Sequence, residues 1–551
     1  MRGIAVSEFA WLTVLTFTPL IGGFIVLGIG AQRRTLARSL ALTFSLVSLG
    51  LAMFVGKNFD STLTELQFVE RHLWIPSLGI EYFVGADGLS LLMIVLSAIV
   101  VPMTMLASWK MFGDAPHPGP LPVGRAEGDQ RPGEGDSGLG YRPPLYYALV
   151  LFLQAGLFGT FTALNFFHWF IFWELSLVPA FFLIKLWGGP QRSAAATQFF
   201  VYTMVGSVAL LLSFLALYQA AGTFDFIRLG ELGRTGELAS ALSVKLGWYD
   251  LTAKQLALVI FAGAFLGFAV KVPLVPFHTW LPLAYAEAPT PVTMLLTGAM
   301  SKMGVYGFLR ILLPIFPEQV RWVLTPLMWL AVITIVFGAA AAFAQKDLKR
   351  TFAYSSINHL GYCLLGVFAL AKLIGDDPRL AAEKAAVFNG VLLQMFNHGL
   401  TAATVFCFIS FIERRTGGLR GLNEFGGLRA VAPVFCGLMG IALFSSLGLP
   451  GLNGFVGEFL IFKGAFLLAT WATALSVIGL LVTAVFILTV IQRVFNGPLN
   501  AKWRAFGDLT LSERLIVLPA IGLMFVLGIY PQLAIGAVNA TVVELVAQLK
   551  F

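Results

Sequence analysis

Charged residues are scarce in this sequence of 551 residues: aspartate, glutamate, lysine and arginine together make up 12%, whereas hydrophobic residues make up 58%. A soluble globular chain has about 25% charged and about 45–50% apolar residues, so the composition excludes that class. It also excludes a disordered chain, because disorder requires low hydrophobicity and high net charge. The apolar residues form long continuous runs, such as 256–270 and 475–490. These runs are typical of membrane helices and not of the alternating strands of a membrane barrel.

Cysteine is also scarce, which argues against several metal and redox sites. The three cysteines, Cys363, Cys407 and Cys436, lie in apolar runs and form no CxxC pair. Iron–sulfur clusters and structural zinc sites need several thiolates, so we expect neither in this chain. The glycines at 448–454 lack the spacing and strand–helix context of a dinucleotide site. No basic patch interleaved with aromatic residues indicates a nucleic-acid partner.

Membrane helices use about 20 mostly apolar residues each, and the sequence predicts about fourteen of them. The predicted fold class is therefore an all-α polytopic membrane protein. Lysine and arginine are most frequent in the loops after the first, ninth, eleventh and thirteenth spans, which the positive-inside rule places in the cytoplasm. Both termini are then expected on the outer side. The predicted spans are 9–30, 39–56, 86–109, 145–163, 165–187, 196–220, 256–276, 289–313, 323–344, 351–372, 385–412, 431–468 with a break, 472–496 and 514–535.

One segment differs from its surroundings in composition. Residues 114–144 are rich in proline and glycine, carry charges of both signs and show no apolar periodicity. Such a segment cannot bury enough apolar surface to order itself. We interpret it as a disordered cytoplasmic insert between the third and fourth spans, either a tolerated loop or a docking element.

Six ionisable side chains are predicted at membrane depth, where an ionised group costs roughly 3 kcal/mol or more. Each has a structural alternative: a lysine that reaches to the interface, a neutral core histidine, or a carboxylate that caps a helix. Taken together they favour a line of coupled groups that passes protons without a metal or cofactor. The six candidates are Glu174, Lys271, Lys302, His359, His398 and Glu458.

Proline and glycine interrupt two predicted spans beside these groups. Irregular backbone at membrane depth is tolerated where it lines a wet or protein-buried cavity. The interrupted spans are the seventh and the twelfth, five apart, which suggests two inverted five-helix units with one broken helix each. The first break follows Lys271 and the second precedes Glu458; the residues that produce them are Pro273, Pro276, Pro450 and Gly451.

The predicted organisation therefore has five parts. Residues 1–113 hold the first three helices, and residues 114–144 form the insert. The two five-helix units occupy 145–313 and 323–496, and a C-terminal helix and tail occupy 514–551.

Six stretches around these residues resemble the antiporter-like membrane subunits of bacterial respiratory complex I, the proton-translocating NADH–quinone oxidoreductase, and among them the subunit M family. The resemblance covers nearly the whole chain except the insert. Subunits L and N and the Mrp-type antiporters are similar, but L and N usually carry lysine where this chain has Glu458. The stretches are FWELSLVP, KVPLVPFHTWLP, SKMGVYGFLR, DLKRTFAYSSINHLGY, LLQMFNHGL and LPGLNGFVGEF.

The resemblance implies a role for each of the last four candidates, which follow Glu174 and Lys271 in the sequence. Lys302 and His359 are expected to form the central relay. His398 continues it, and Glu458 is the distal carboxylate.

The resemblance also implies that Glu174 and Lys271 form a close glutamate–lysine pair in the first half of the chain.

The resemblance further implies what surrounds the chain. NADH, FMN, iron–sulfur clusters and quinone are expected in partner subunits and not in this chain. The expected partners are the other membrane subunits, notably L and N, and the lipid of the bacterial inner membrane.

One stretch departs from the family pattern. The usual HTWLPDAH reads HTWLPLAY, so that Leu283 and Tyr285 replace an acid and a histidine. Glu287 is a candidate for the missing acid. The departure concerns the cytoplasmic end of the expected proton route and not its centre.

Two other functions remain open at this point. An Mrp-type cation/proton antiporter subunit would share most of the motifs and act without NADH. A membrane scaffold would use the buried charges only as stabilising pairs. Glu458 in place of lysine favours the complex I subunit over the antiporter, and six intramembrane ionisable groups argue against the scaffold.

Overall fold

The computed structural model describes residues 9–112, 142–246, 251–375 and 377–549. The protein is mostly helical, at 78%. In chain order the helices are α1 (Trp11–Leu27), α2 (Arg34–Lys57), α3 (Gly88–Ala107), α4 (Pro143–Thr162), α5 (Phe166–Trp187), α6 (Arg192–Ala221), α7 (Phe226–Thr235), α8 (Glu237–Leu246), α9 (Ala253–Lys271), α10 (Trp280–Glu287), α11 (Thr290–Leu295), α12 (Lys302–Gly307), α13 (Leu313–Ile315), α14 (Pro317–Trp322), α15 (Leu324–Ala344), α16 (Leu348–Leu370), α17 (Pro378–Thr416), α18 (Pro433–Ser446), α19 (Asn453–Leu468), α20 (Thr470–Val494), α21 (Leu511–Ile529) and α22 (Gln532–Gln548).

Ten helices of the described residues are long and apolar enough to cross a membrane, which supports a multi-pass membrane protein. They are α2, α3, α4, α5, α6, α9, α15, α17, α20 and α21. The other predicted spans coincide with helices that are shorter, irregular or more polar; α1 and α18, for example, are apolar but have only 17 and 14 residues. The predicted span 289–313 is divided by π-helical turns at Leu296–Met300 and Phe308–Leu312. The predicted span 351–372 lies in α16, which carries two serines, an asparagine and a histidine at 355–359.

The insert assigned to residues 114–144 falls almost wholly on residues 113–141, which lie outside the described part of the chain. Its last residues belong to a helix, since α4 begins at Pro143. Proline is well suited to the first turn of a helix, because its missing N–H has no intrahelical partner there.

The helices form an inner and an outer group. In α4 and α17, 89% of the residues in an apolar stretch of 18 are buried within the protein, compared with 28% in α2 and 33% in α20. The inner group supplies the core, whereas the apolar side chains that the outer group exposes are those expected to face lipid. A polar side chain in the central part of α17 is therefore shielded from both water and lipid.

A β-hairpin is the one departure from the predicted all-α class among the described residues. Strand β1 (Gln67–Ile75) pairs antiparallel with β2 (Ile80–Ala86). The turn between them ends at Gly79, whose φ of +60° favours glycine. The hairpin is held to the helices by Glu70, which accepts a hydrogen bond from the backbone N–H of Leu12 at 2.8 Å. It thereby satisfies one of the free amides at the start of α1.

Close approach between α17 and α19 depends on glycine. A Cβ atom added at Gly457 would lie 2.9 Å from the backbone nitrogen of Gln394. Small residues allow such backbone contacts between membrane helices. This contact sets the position of the residue that follows it, Glu458.

We predict that Gly457→Ala destabilises the protein, because overpacking a tight contact costs about 1–3 kcal/mol. Gly437→Ala is the matched control, since a Cβ atom at Gly437 on α18 meets nothing within 4 Å. The check is the midpoint of thermal unfolding in detergent. A midpoint that falls for Gly457→Ala but not for Gly437→Ala is the expected result, and equal midpoints would contradict the packing account.

Candidate functional site

Lys302 lies between the two π-helical turns and is fully buried. In the first turn the Ser301 amide donates to the carbonyl of Leu296, five residues back, at 3.1 Å. The Thr297 carbonyl, which an α-helix would pair with that amide, accepts instead from the Ser301 hydroxyl at 3.1 Å and from the Lys302 ammonium. π turns are frequent at functional sites, and here the turn supplies an acceptor for a buried cation.

The next group along the line is His398, at the centre of α17. Nζ of Lys302 lies 2.8 Å from Nδ1 of His398. The ring centroid of His398 lies 5.1 Å from that of His359 on α16, and the two planes differ by 34°. Among the described residues, the two rings form hydrogen bonds with other side chains but not with each other. The rings are therefore neighbours separated by a gap.

His359 links the histidine pair to Glu458. Its Nδ1 lies 3.0 Å from Oε1 of Glu458, and its Nε2 lies 3.2 Å from the hydroxyl of Ser446. Gln394 donates a second hydrogen bond to the same carboxylate oxygen at 3.1 Å. A carboxylate that accepts two such bonds is compensated for the loss of water around it.

A small polar cavity opens beside these groups and has room for about one water molecule. Its lining includes both histidines and the glutamate. The lining residues are His359, Gln394, His398, Thr401, Ser445, Ser446, Gly454 and Glu458.

Both chain interruptions lie beside an ionisable group. Residues 272–279 separate α9, which ends at Lys271, from α10. Residues 447–452 separate α18 from α19, the helix that carries Glu458. In the second interruption Gly448 has a φ of +81°, and a Cβ atom there would lie 2.8 Å from Oε2 of Glu458. The irregular backbone therefore makes room for the carboxylate.

The structure places Glu174 and Lys271 near each other without the direct contact that the sequence analysis expected. Nζ of Lys271 lies 3.4 Å from the Ser176 hydroxyl and 4.7 Å from the centroid of the Trp173 ring. Glu174 acts on Lys271 through space, and no ion pair joins them among the described residues. Oε1 of Glu174 is buried and accepts no hydrogen bond within the described part of the chain.

Sequence reasoning missed a buried ion pair between Arg310, in the second π-helical turn after Lys302, and Asp87. Nη2 of Arg310 lies 2.5 and 2.6 Å from the two carboxylate oxygens of Asp87, which also caps α3 through the Ser90 amide. Tyr306, one turn before Arg310, donates to the Phe161 carbonyl at 3.0 Å. The signal was present, because Arg310 is a charged residue within a predicted span.

A second cluster of polar side chains consists of Lys349, Glu413 and Glu287, of which only Glu287 was singled out from the sequence. Lys349, at the start of α16, is 2% exposed and donates to the Ala288 carbonyl at 2.5 Å. It interacts through space with Glu413 and Glu287, the acid that the sequence analysis singled out. Glu287 accepts a hydrogen bond from the Gln191 amide at 2.9 Å. Lys349 lies in the lysine- and arginine-rich loop between the predicted spans 323–344 and 351–372, and a loop position does not indicate burial.

The chemistry available to this site is proton transfer. Lysine, histidine and carboxylate can each hold or release a proton, and the line from Lys302 to Glu458 brings four of them within hydrogen-bond or ring-contact distance. No group of three or more histidine, cysteine, aspartate or glutamate side chains suited to a metal ion occurs in the described residues.

Comparison with known proteins identifies the family of the chain. Residues 163–486 match the family described as NADH:quinone oxidoreductase/Mrp antiporter, TM, and residues 36–119 match NADH-ubiquinone oxidoreductase chain 4, amino terminus. The NADH-quinone oxidoreductase subunit M of Mycobacterium tuberculosis is 32% identical over 97% of this chain and 93% of its own length.

Two solved structures have the same fold. A chain of respiratory complex I from Thermus thermophilus with bound NADH aligns with a TM-score of 0.78 and 24% identity, covering 98% of this chain and 99% of its own. A chain of the Mrp complex from Dietzia sp. DQ12-45-1b aligns with a TM-score of 0.77 and 19% identity, covering 98% and 100%. With the family match over residues 163–486 and the 32% identity over nearly the full length, the chain belongs to the NADH:quinone oxidoreductase/Mrp antiporter family of membrane subunits and is a subunit M homologue.

Proposed function

We propose that this chain moves protons across the bacterial inner membrane as the M-type subunit of an NADH–quinone oxidoreductase. The observation that carries the proposal is the buried line Lys302–His398–His359–Glu458, with contacts of 2.8 Å, 5.1 Å between ring centroids, and 3.0 Å. Structural stabilisation alone would not require four titratable side chains next to one another, because each buried side chain of this kind carries a desolvation cost.

The proton passes along the line by exchange of N–H and O–H bonds only. Lys302 donates to Nδ1 of His398, and a water molecule in the cavity connects the two histidine rings. His359 then donates from Nδ1 to the carboxylate of Glu458. NADH, FMN, iron–sulfur clusters and quinone act in partner subunits, whose redox reaction drives the transfer.

Glu174 and Lys271 form the switch of the first half. The carboxylate favours the charged form of the lysine from a distance, while burial favours the neutral form. The balance between these two opposing effects decides whether Lys271 holds a proton. Because no direct ion pair joins the two side chains, a small movement of α5 against α9 changes this balance.

The chain has about fourteen membrane helices arranged as two inverted five-helix units, 145–313 and 323–496, each with one interrupted helix. The interruptions at 272–279 and 447–452 support this arrangement. The lysine- and arginine-rich loops lie in the cytoplasm and both termini lie outside. The subunits L and N are its neighbours in the membrane, and lipid covers the outer helices.

A second candidate function is a subunit of an Mrp-type cation/proton antiporter. The Dietzia Mrp chain supports it through the shared fold. Glu458 in place of a lysine favours the first candidate. The two are separated by vesicle experiments, since only the first predicts proton pumping that requires NADH and quinone and does not require sodium.

We predict that Glu458→Gln abolishes most NADH-linked proton pumping in assembled complexes. Glutamine keeps the shape and a hydrogen bond to His359 but cannot receive the proton. Glu237→Gln is the control, because Glu237 is exposed on α8. Pumping is followed in membrane vesicles by a pH-sensitive dye, with assembly checked on native gels. Wild-type pumping by an assembled Glu458→Gln complex would remove Glu458 from the route.

We predict that Glu174→Gln and Lys271→Ala each reduce quinone-linked NADH oxidation and pumping together. Lys271→Arg should pump little better than Lys271→Ala, because arginine stays protonated and cannot release a proton. Glu174→Asp should be the mildest variant, because it keeps the charge. Lys245→Ala, at an exposed lysine of α8, is the control. Full pumping by Lys271→Arg would show that the position needs only a positive charge.

A further inference from the structure

Four hydroxyl side chains follow one face of the helix that leads to Lys302. Thr290, Thr293, Thr297 and Ser301 are spaced by three or four residues, which keeps them on one side. All four are buried, with exposures of 3%, 0%, 0% and 3%. Residues so spaced have Cβ atoms about 5–6 Å apart, a distance that one water molecule can bridge between two hydroxyls.

The first hydroxyl contacts an acid at the membrane face. Thr290 donates to Oε2 of Glu413, at the end of α17. The Glu413 side chain is 21% exposed, so it can exchange protons with solvent. Lys349 and Glu287 lie beside it and interact through space. The stripe therefore begins at a group that water reaches.

The last hydroxyls contact the lysine and its surroundings. The Ser301 hydroxyl lies 3.3 Å from Nζ of Lys302, and the Thr297 hydroxyl lies 3.0 Å from that of Ser356. Tyr285 is buried beside these hydroxyls, since its backbone carbonyl accepts a hydrogen bond from the Thr293 hydroxyl at 3.0 Å.

Two of the four hydroxyls, those of Thr290 and Thr297, differ from buried threonines elsewhere in the protein. Thr160 on α4 and Thr404 on α17 donate to carbonyls four residues back in their own helices. Such bonds need no neighbour and indicate only local satisfaction of the hydroxyl. Thr290 and Thr297 instead reach side chains on α17 and α16. Between them, Thr293 donates to the Tyr285 carbonyl at 3.0 Å, and Ser301 donates to the Thr297 carbonyl at 3.1 Å.

We propose that the stripe Thr290–Thr293–Thr297–Ser301, together with Tyr285, is the route by which protons reach Lys302 from the membrane face at Glu413. Each hydroxyl accepts a proton on its oxygen and passes its own hydrogen to the next group, directly or through one water molecule. The neutral amine of Lys302 accepts the last proton, so only O–H and N–H bonds form and break. This inference rests on the proposed proton-pumping function and names its supply route.

The test compares Thr297→Val and Tyr285→Phe with matched controls in assembled complexes in membrane vesicles. Both remove a hydroxyl at nearly constant shape. Thr160→Val and Tyr146→Phe do the same at buried positions away from the stripe; the Tyr146 hydroxyl has no hydrogen-bond partner among the described residues. Thr297→Ser keeps the hydroxyl and should restore pumping.

We expect the double variant Thr297→Val, Tyr285→Phe to pump about tenfold more slowly, which equals ~1.4 kcal/mol on the barrier. We also expect a larger solvent deuterium isotope effect on NADH oxidation, which a purely structural defect would not produce. Wild-type pumping, or an unchanged isotope effect, would overturn the route. If Thr297→Val fails to assemble, Tyr285→Phe alone decides by the same two readings.

Lys302→Met separates the two levels of the proposal. Loss of pumping in Lys302→Met with normal pumping in the hydroxyl variants would overturn the stripe and leave the proposed function intact. Normal pumping in Lys302→Met would instead overturn the proposed function itself.

Discussion

A charged or titratable side chain inside a membrane must find polar partners within the protein, because neither lipid nor bulk water supplies them. This constraint explains why Lys302, His398, His359 and Glu458 lie in contact and not dispersed among the helices. Lys302 and His398 are partners for each other, as are His359 and Glu458, and the two pairs lie side by side. In the function that we propose, the same contacts that make burial tolerable also form the path for protons, so stabilisation and transport depend on one set of residues.

Irregular backbone positions these groups. The π turn at Leu296–Met300 frees the Thr297 carbonyl for the Lys302 ammonium. The interruption before α19 gives Glu458 the space that a Cβ atom at Gly448 would occupy. Regular helices would pair every backbone group internally and leave none for the ionisable side chains. The departures from ideal helix therefore coincide with the buried ionisable residues.

Much of the site could be predicted from the sequence, since an ionisable residue in an apolar run is conspicuous and Pro450 and Gly451 mark a break. The exceptions have physical causes. The Asp87–Arg310 pair joins residues 223 positions apart, and no local pattern shows which partner a buried arginine has. The hairpin formed by β1 and β2 was hidden because its strands are short beside the membrane helices. The distance between Glu174 and Lys271 depends on how α5 packs against α9, which the two residue types alone do not determine.

The central claim is that the four groups from Lys302 to Glu458 act as one line, and a double-mutant cycle tests it most directly. Proton pumping would be measured in assembled complexes of Lys302→Met, Glu458→Gln and the combination. Residues at two ends of one obligatory path lose their function together, so the double variant should pump no worse than the poorer single variant. If the two losses multiply instead, Lys302 and Glu458 contribute independently and the line is not a single route.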